Sequence, residues 1–295
     1  MAITLAEASK LSNDVLLTGV IETIIKDSPI LQSLPFIEIV GNGLTYNREN
    51  AAATAAFYDV ADTWTESTPT FTQITTVLKI VGGDADIDNF LLSTRSNVQD
   101  LEAAVVQLKA KAVKQKFEDT FVNGDTSVDA KSFDGIDKLC DAGQTVSMGT
   151  NGATLTLAKL DEVIDLVKGG KPDVLLMSKR TRRTLNNLAR TSGGFLEADR
   201  NEFGQMVQFY DGIPVGICDF ISDAKTVGTS NDCSTVYAVR LGEGALAGLT
   251  SPGGLQVERV GSLETKDATR TRIKWYCSMA LFNTLKLSKL IGVRP

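Results

Sequence analysis

Two strand-like segments, separated by a long insertion, constrain the fold of this chain more than any other feature of the sequence. Residues 36–48 and 70–81 are rich in β-branched and aromatic residues and are bounded by glycine and proline, which is typical of strands. Residues 49–69 separate them, a connection longer than a compact domain ordinarily holds between two strands. The pattern predicts a hairpin that projects from the body as an arm. Aromatic residues lie near its tip: Phe57, Tyr58 and Trp64.

A two-stranded ribbon is only marginally stable in water, so we expect the aromatic tip to be buried against another subunit. Tyr46 and Arg48, on the first strand of the hairpin, are assigned to the same contact. A surface flap folded back on its own subunit is the alternative.

The N-terminal residues predict two short helices. Thr4 and Glu7 form a capping box, and Ser12 offers a second helix start. The second helix carries one apolar stripe, made by Leu16, Val20, Ile21, Ile24 and Ile25. The stripe requires a packing partner in its own domain or on a neighbour, and we assign Ile21, Ile24 and Ile25 to a subunit contact.

A long helix is predicted over residues 97–123, because Ser96 and Gln99 form a capping box and Gly124 follows the last apolar position. Residues 154–250 then alternate helices and strands, including a helix capped by Ser178 and a hairpin that turns at Asp211 and Gly212. A long half-buried strand follows, with one apolar face formed by Ile273, Trp275, Cys277, Met279 and Leu281.

The composition argues against catalysis. Histidine is absent, which removes the commonest general acid or base at neutral pH and the commonest metal ligand. The cysteines form no C-x-x-C pair, and no phosphate-loop, nucleophile-elbow or zinc-protease motif occurs. We therefore predict no enzyme, no catalytic residue and no cofactor.

The charge and hydropathy limit the partners. The formal net charge is -6, from 30 Lys and Arg against 36 Asp and Glu, so only weak non-specific contact with nucleic acid is expected. No basic N-terminal region precedes an apolar run, and no uncharged stretch approaches the roughly 18 residues of a membrane span. We expect a protein made in the cytoplasm, with no membrane partner.

Two charged clusters are candidate binding sites. Asp84, Asp86 and Asp88 have the spacing of calcium-loop ligands, but Asn89 and Arg95 stand where such a loop requires glycine and glutamate. Solvated acids or ion pairs between subunits are therefore favoured over a metal. The second cluster opens a helix and consists of Lys179, Arg180, Arg182 and Arg183. It favours pairing with acids of another subunit over a solvated face or anion binding.

The order of these parts, with several local phrases, resembles one family. The phrases are SPILQSLPFIEIVGNGLTYNRE, PDVLLMSKRTRRTL, YDGIPVGICDF and YAVRLGEGALAGLT. Together they resemble the Hong Kong 97-type major capsid proteins of tailed phages. The resemblance implies an α+β Hong Kong 97-type capsid fold: an N-terminal arm (1–38), an extended hairpin loop (39–81), a peripheral domain with a spine helix (82–153 and 251–295; helix 97–123) and an axial domain (154–250).

The resemblance also implies the function. Subunits would form pentamers and hexamers of an icosahedral phage head around double-stranded DNA, assembled in the cytoplasm of a host bacterium. Portal and scaffolding proteins are implied partners, and a decoration protein is an optional one. No scaffolding extension precedes the arm, so we expect a separate or already removed scaffold. An encapsulin, a nanocompartment shell of the same fold that packages enzymes, is the alternative, and neighbouring genes would discriminate the two.

No lysine occurs between Lys26 and Lys79, so the hairpin arm lacks the amine that the family's type member uses for covalent cross-links. We therefore expect a shell held together without covalent bonds.

Overall fold

The computed structural model describes residues 29–89, 98–191, 197–200 and 206–295. The predicted N-terminal helices, with Ile21, Ile24 and Ile25, lie outside these ranges. The described helices are α1 (Pro29–Ser33), α2 (Val98–Asn123), α3 (Ile136–Leu139), α4 (Leu157–Leu166) and α5 (Lys179–Thr191), with 3-10 turns at Ala142–Gln144 and Thr284–Lys286. None of them is both long enough and apolar enough to cross a membrane.

The strands form two main sheets and one separate hairpin. The described strands are β1 (Phe36–Glu38), β2 (Gly43–Ala51), β3 (Thr70–Val77), β4 (Lys79–Asp88), β5 (Thr145–Ser147), β6 (Ala153–Thr154), β7 (Val174–Met177), β8 (Glu197–Arg200), β9 (Met206–Tyr210), β10 (Ile213–Ile217), β11 (Lys225–Val227), β12 (Ser230–Val239), β13 (Leu246–Ser262), β14 (Ala268–Leu281) and β15 (Leu287–Arg294). A four-stranded sheet has the order β1-β13-β14-β4, and β2 and β3 form a separate two-stranded sheet. A nine-stranded sheet follows the path β5-β15-β12-β7-β10-β9-β8, with β6 beside β15 and β11 beside β12.

Helix α2 packs along the four-stranded sheet. Its buried residues recur every three or four positions, at Val106, Ala110, Val113, Phe117 and Phe121. The Phe117 ring lies 4.8 Å from the Trp275 ring of β14, which anchors the helix to the buried face of that strand. The helix ends at Asn123, directly before Gly124, as predicted, and position 124 requires glycine because a Cβ there would clash with the carbonyl oxygens of Thr120 and Phe133.

The nine-stranded sheet is covered on both faces. Along β7, Leu175 and Met177 join an apolar cluster with α4 and α5, while Val174 and Leu176 join the cluster that contains α2. The predicted cap is confirmed, because the Ser178 hydroxyl accepts a hydrogen bond from the Thr181 amide at 3.2 Å. The predicted turn between β9 and β10 is also confirmed: Asp211 and Gly212 have φ angles of 51° and 75°, as a type I′ turn requires.

The structure refines the predicted strands. Residues 36–48 form two strands, because β1 pairs in parallel with β13 whereas β2 begins after Gly41, whose φ is 117°. Residues 70–81 are likewise divided, since β3 belongs to the hairpin and β4 to the four-stranded sheet. Residues 287–294, predicted with the peripheral domain, form β15 in the nine-stranded sheet, between β12 and β5.

Candidate assembly surfaces

The hairpin arm exposes a large apolar tip. Strands β2 and β3 pair from Gly43 opposite Val77 to Ala51 opposite Thr70, and residues 52–69 extend beyond the last pair. The tip contains Phe57, Val60 and Trp64, which are 107%, 94% and 78% exposed. Tyr58 stacks on Trp64 with ring centroids 4.4 Å apart. The stack orders the tip but buries little of it, so the tip leaves a large apolar surface exposed, as contact surfaces often do.

The base of the arm is fastened to the end of β14. Tyr46 donates a hydrogen bond from its hydroxyl to the Leu281 carbonyl at 2.9 Å, and its ring lies 4.8 Å from that of Phe282. Arg48 donates to the Phe282 carbonyl at 3.1 Å and to the Leu281 carbonyl. Strand β4 pairs with β14 only as far as Cys277. The Tyr46 and Arg48 side chains therefore bind carbonyls of the β14 end that lie beyond the last backbone pair with β4.

Tyr46 and Arg48, which we assigned to a contact between subunits, therefore bind their own chain in the structure. Their role at a subunit interface stays a prediction. Their intrachain contacts set the direction in which the arm leaves the body, since both bind the same end of β14.

A ladder of ion pairs covers the exposed face of the four-stranded sheet. Arg272 binds both oxygens of Asp84 at 2.7 and 2.9 Å, and Arg270 binds those of Asp86 at 2.6 and 2.8 Å. Lys266 adds a contact to Asp86 at 3.0 Å. The hydrogen bond from Arg272 lowers the pKa of Asp84, and that from Arg270 holds the pKa of Asp86 far below its ordinary value.

Asp84 and Asp86 are therefore paired within one chain, through neighbouring strands β4 and β14. The described residues contain no group of three or more side chains able to hold a metal ion. The side chain of Asp88 lies outside what the structure describes. A signal for the pairing was present in the sequence: acids alternate along β4 while bases alternate along β14.

The basic cluster lies on α5, and its four members make different contacts. Lys179 pairs with Asp219 at 2.7 Å, and Arg180 donates to the Asp232 carbonyl at 2.8 Å. The Arg182 Nε is buried and has no partner among the described atoms, and Arg183 is exposed. The predicted pairing of this cluster with another subunit stays a prediction for all four residues.

The sequence pattern did not predict one polar network, which surrounds Asp137. Asp137 of α3 accepts hydrogen bonds from Lys225 and from the Tyr237 hydroxyl, both at 2.9 Å, and Lys289 lies 3.3 Å away. Burial acts to raise the pKa of Asp137, but the hydrogen bond and charge of Lys225 and the charge of Lys289 outweigh it and lower that pKa. The network fastens α3 to β11, β12 and β15, which are distant in sequence.

Comparisons with known proteins show which family this chain matches and which solved structures share its fold. Residues 11–275 match the phage capsid family. No curated protein matches the chain. The holo-SrpI encapsulin complex from Synechococcus elongatus PCC 7942 aligns with a TM-score of 0.71 at 18% identity, over 90% of this chain and 87% of that chain.

The capsid of an empty GTA particle aligns with a TM-score of 0.66 at 15% identity, over 90% of this chain and 96% of that chain. A structure from Mycobacterium phage Adephagia aligns with a TM-score of 0.63 at 14% identity, over 91% and 90%. The four-stranded sheet with its long helix, the nine-stranded sheet and the projecting hairpin thus form a fold shared with these shells.

Proposed function

Because the chain belongs to the phage capsid family, we propose that it is the repeating subunit of an icosahedral head, arranged in pentamers and hexamers around double-stranded DNA. It is a major capsid protein, a structural protein with the Hong Kong 97-type fold. The family match over residues 11–275 carries the proposal, and the exposed arm supports it.

The two sheets suggest how the parts divide. We assign α2 and the four-stranded sheet to the peripheral domain, and the nine-stranded sheet with α4 and α5 to the axial domain around each capsomer axis. The resemblance gave the axial domain as residues 154–250, and the strand pairing of β5, β6 and β15 argues for including them. Residues 1–38 and 39–81 keep their proposed roles as N-terminal arm and extended loop.

The arm tip is proposed to lie on a neighbouring subunit. Burial of about 200 Å² of aromatic surface there would stabilise the contact by roughly 5 kcal/mol at about 25 cal/mol per Å². This exceeds what exposed ion pairs supply, at about 0.2–1 kcal/mol each. The tip would therefore be the strongest single contribution of the arm to assembly.

Shortening the arm tests this role, and the strand register defines where to cut. Glu49 lies opposite Phe71, so Asn-Gly in place of residues 50–70 gives a two-residue turn and keeps Tyr46 and Arg48. We expect the variant to fold, by circular dichroism, but to form no closed shells under the electron microscope. The control is Val128→Ser, which removes an apolar side chain that is 86% exposed in the loop after α2. Normal shells from the shortened chain would contradict the proposal.

An encapsulin-like shell is the second candidate, favoured by the TM-score of 0.71 to the encapsulin complex. Particles isolated from the natural source distinguish the two. Nuclease-protected double-stranded DNA, with portal and scaffolding proteins and an optional decoration protein, supports a phage head assembled in a host cytoplasm. A packaged enzyme without DNA supports a nanocompartment. At a net charge of -6, contact with packaged DNA would be weak and non-specific.

A further inference from the structure

The chain contains three Asn–Gly pairs, and the fold restrains them to different degrees. They are Asn42–Gly43, Asn123–Gly124 and Asn151–Gly152. An asparagine followed by glycine is prone to deamidation, because glycine has no side chain to keep its backbone nitrogen away from the asparagine amide carbon. The reaction needs an asparagine side chain that can turn, a glycine amide that makes no hydrogen bond, and room for the two to meet.

The second pair is closed to this reaction. It lies at the end of α2, where Gly124 is buried and its amide donates to the Thr120 carbonyl at 2.8 Å. The Asn123 side-chain amide donates to Asp119 at 3.1 Å and to the Phe220 carbonyl at 2.9 Å. Both reacting groups are therefore held, and they can meet only after the end of the helix opens.

The third pair is held in a similar way. The Asn151 side-chain oxygen accepts a hydrogen bond from the Thr229 amide at 3.1 Å, and the Gly152 amide donates to the Gly149 carbonyl at 3.2 Å. Gly152 also packs closely against the last strand, since a Cβ at position 152 would lie 2.6 Å from the Gly292 carbonyl oxygen. Little room remains for the asparagine side chain to turn onto the glycine nitrogen.

The first pair, at the base of the hairpin arm, lacks these restraints. The exposed Asn42 side chain has no hydrogen-bond partner among the described residues. The Leu78 amide donates to the Asn42 carbonyl at 2.9 Å, so these two residues form a hydrogen-bonded pair. Bonded and non-bonded pairs alternate along an antiparallel ladder, so the next pair, Gly43 opposite Val77, is non-bonded. The Gly43 amide therefore points away from β3, and it donates to no other described residue.

The surroundings of Asn42 are also open. Val40 is 93% exposed, and a Cβ at the exposed Gly41 would meet no atom within 4 Å. Glycine at position 43 has a packing reason of its own, because a Cβ there would lie 2.7 Å from the Thr76 carbonyl oxygen. The close approach that requires glycine thus leaves Asn42 beside a backbone nitrogen that no side chain shields.

We propose that Asn42 deamidates in the folded chain, whereas Asn123 and Asn151 stay intact. The Gly43 nitrogen attacks the Asn42 Cγ, and the new C–N bond closes a cyclic imide. The side-chain nitrogen leaves as ammonia and carries away the proton that Gly43 loses. Water then opens the ring: cleavage between Cγ and the nitrogen gives aspartate, and cleavage between the backbone carbonyl carbon and the nitrogen gives isoaspartate. Water is the co-reactant, no electrons are transferred, and the reaction does not depend on the proposed function.

Isoaspartate at position 42 would alter the base of the arm. Residues 40–42 connect Ile39, whose amide donates to the Thr250 carbonyl at 2.9 Å, to the first strand of the hairpin. In isoaspartate the backbone runs through the side-chain carbon, which adds one atom to this connection and displaces the carbonyl that accepts from Leu78. Either product also adds one negative charge to the net charge of -6. The modification therefore loosens the attachment of the arm as the chain ages.

Peptide mapping by mass spectrometry tests the selectivity. The native wild-type chain is incubated in mildly alkaline buffer, and the gain in mass from replacing an amide by a carboxylate is followed at each asparagine. Asn42 should react at least about tenfold faster than Asn123 and Asn151, since an opening step of about 1.4 kcal/mol corresponds to a factor of ten in rate. In urea all three should react at similar rates, because each is followed by glycine and none is held by the fold.

The matched variant is Asn42→Gln, whose longer side chain must close a larger and less favourable ring. It should fold normally and lose the modification at position 42. Labelling with a protein isoaspartyl methyltransferase detects the isoaspartate, and the Leu78 amide of the labelled fraction should exchange its hydrogen at least about tenfold faster than in unmodified chains.

Three outcomes would count against this inference. An intact Asn42 in the native chain, under conditions in which the urea-unfolded chain reacts, would overturn it. Equal native rates at the three pairs would also overturn it, because the fold would then not select Asn42. Unchanged hydrogen exchange at Leu78 in the isoaspartate fraction would refute the loosening of the arm.

Discussion

The latch at the base of the arm gives a measurable prediction. It consists of Tyr46 and Arg48, which both donate to the Leu281 carbonyl, while Arg48 also donates to the Phe282 carbonyl. We consider Tyr46→Phe, Arg48→Ala and the double variant. Each single change leaves one donor on the Leu281 carbonyl, and the double change leaves none.

The expected magnitudes follow from these contacts. Tyr46→Phe removes one neutral hydrogen bond and should lower the free energy of unfolding by about 1 kcal/mol. Arg48→Ala removes two charge-assisted bonds at a half-buried position and should cost about 2 kcal/mol. The double variant strands the carbonyl of Leu281, a residue that is 1% exposed, so its cost should exceed the sum by about 1 kcal/mol.

Urea denaturation of the four proteins of this cycle measures the coupling. Hydrogen exchange locates it, because the amides of residues 43–51 and 70–77 should exchange faster in the double variant while those of α2 stay protected. Asn47→Ala is the matched control, since Asn47 is exposed on the opposite side of the same strand.

Strict additivity of the two substitutions would refute the shared acceptor. Equal exchange rates in the hairpin of the wild type and the double variant would refute the latch as the element that fixes the arm. Either result would mean that the apolar contacts of Leu44 and Phe282 hold the base instead.

Three further predictions address the shell and its subunit. Mature particles boiled in detergent with reductant should give a single-chain band, because residues 27–78 contain no lysine, and a ladder of covalent multimers would contradict this. Asp137→Asn should lower the free energy of unfolding by about 2 kcal/mol after allowance for solvent screening, because it weakens the hydrogen bonds to Lys225 and Tyr237. Urea denaturation measures this, and an unchanged midpoint of the urea transition would show that the network does not stabilise the fold. The pKa values of Asp84 and Asp86 are depressed in the folded state, so their ion pairs stabilise the fold above the unfolded-state pKa of about 3.9. This stabilisation is lost as the pH falls through the lower folded-state pKa values. The difference in melting temperature between wild type and Asp84→Asn should therefore narrow in acid and stay constant from pH 5 to 8.

Local patterns predicted the elements whose burial follows from their own periodicity. Phe117 and Phe121 recur on one side of α2, and Ile273 and Trp275 alternate along β14, so both buried faces could be identified from spacing. The turn at Asp211 and Gly212 was predictable for the same reason, since those residue types tolerate positive φ locally.

The pattern failed where distant segments cover a surface. Ser278 alternates with the apolar residues of β14, a pattern that predicts a solvated side chain, yet it is fully buried, because the hairpin base packs on that face of the strand beyond Cys277. The latch between Arg48 and Phe282 and the network around Asp137 join residues far apart in sequence. Such contacts depend on topology, which the residue types at either end do not specify.

The position of β15 has a consequence for the timing of folding. This strand follows every other described strand in the chain, yet it lies inside the nine-stranded sheet, with β12 on one side and β5 and β6 on the other. While a ribosome is still making residues 287–294, β5 and β6 have no strand to pair with and one edge of β12 is open. The surface that carries α4 is then incomplete, since Leu290 and Val293 contribute to the cluster beneath it. We therefore expect the nine-stranded sheet of a nascent subunit to close only after residues 287–294 have left the ribosome, so that its core forms late in synthesis.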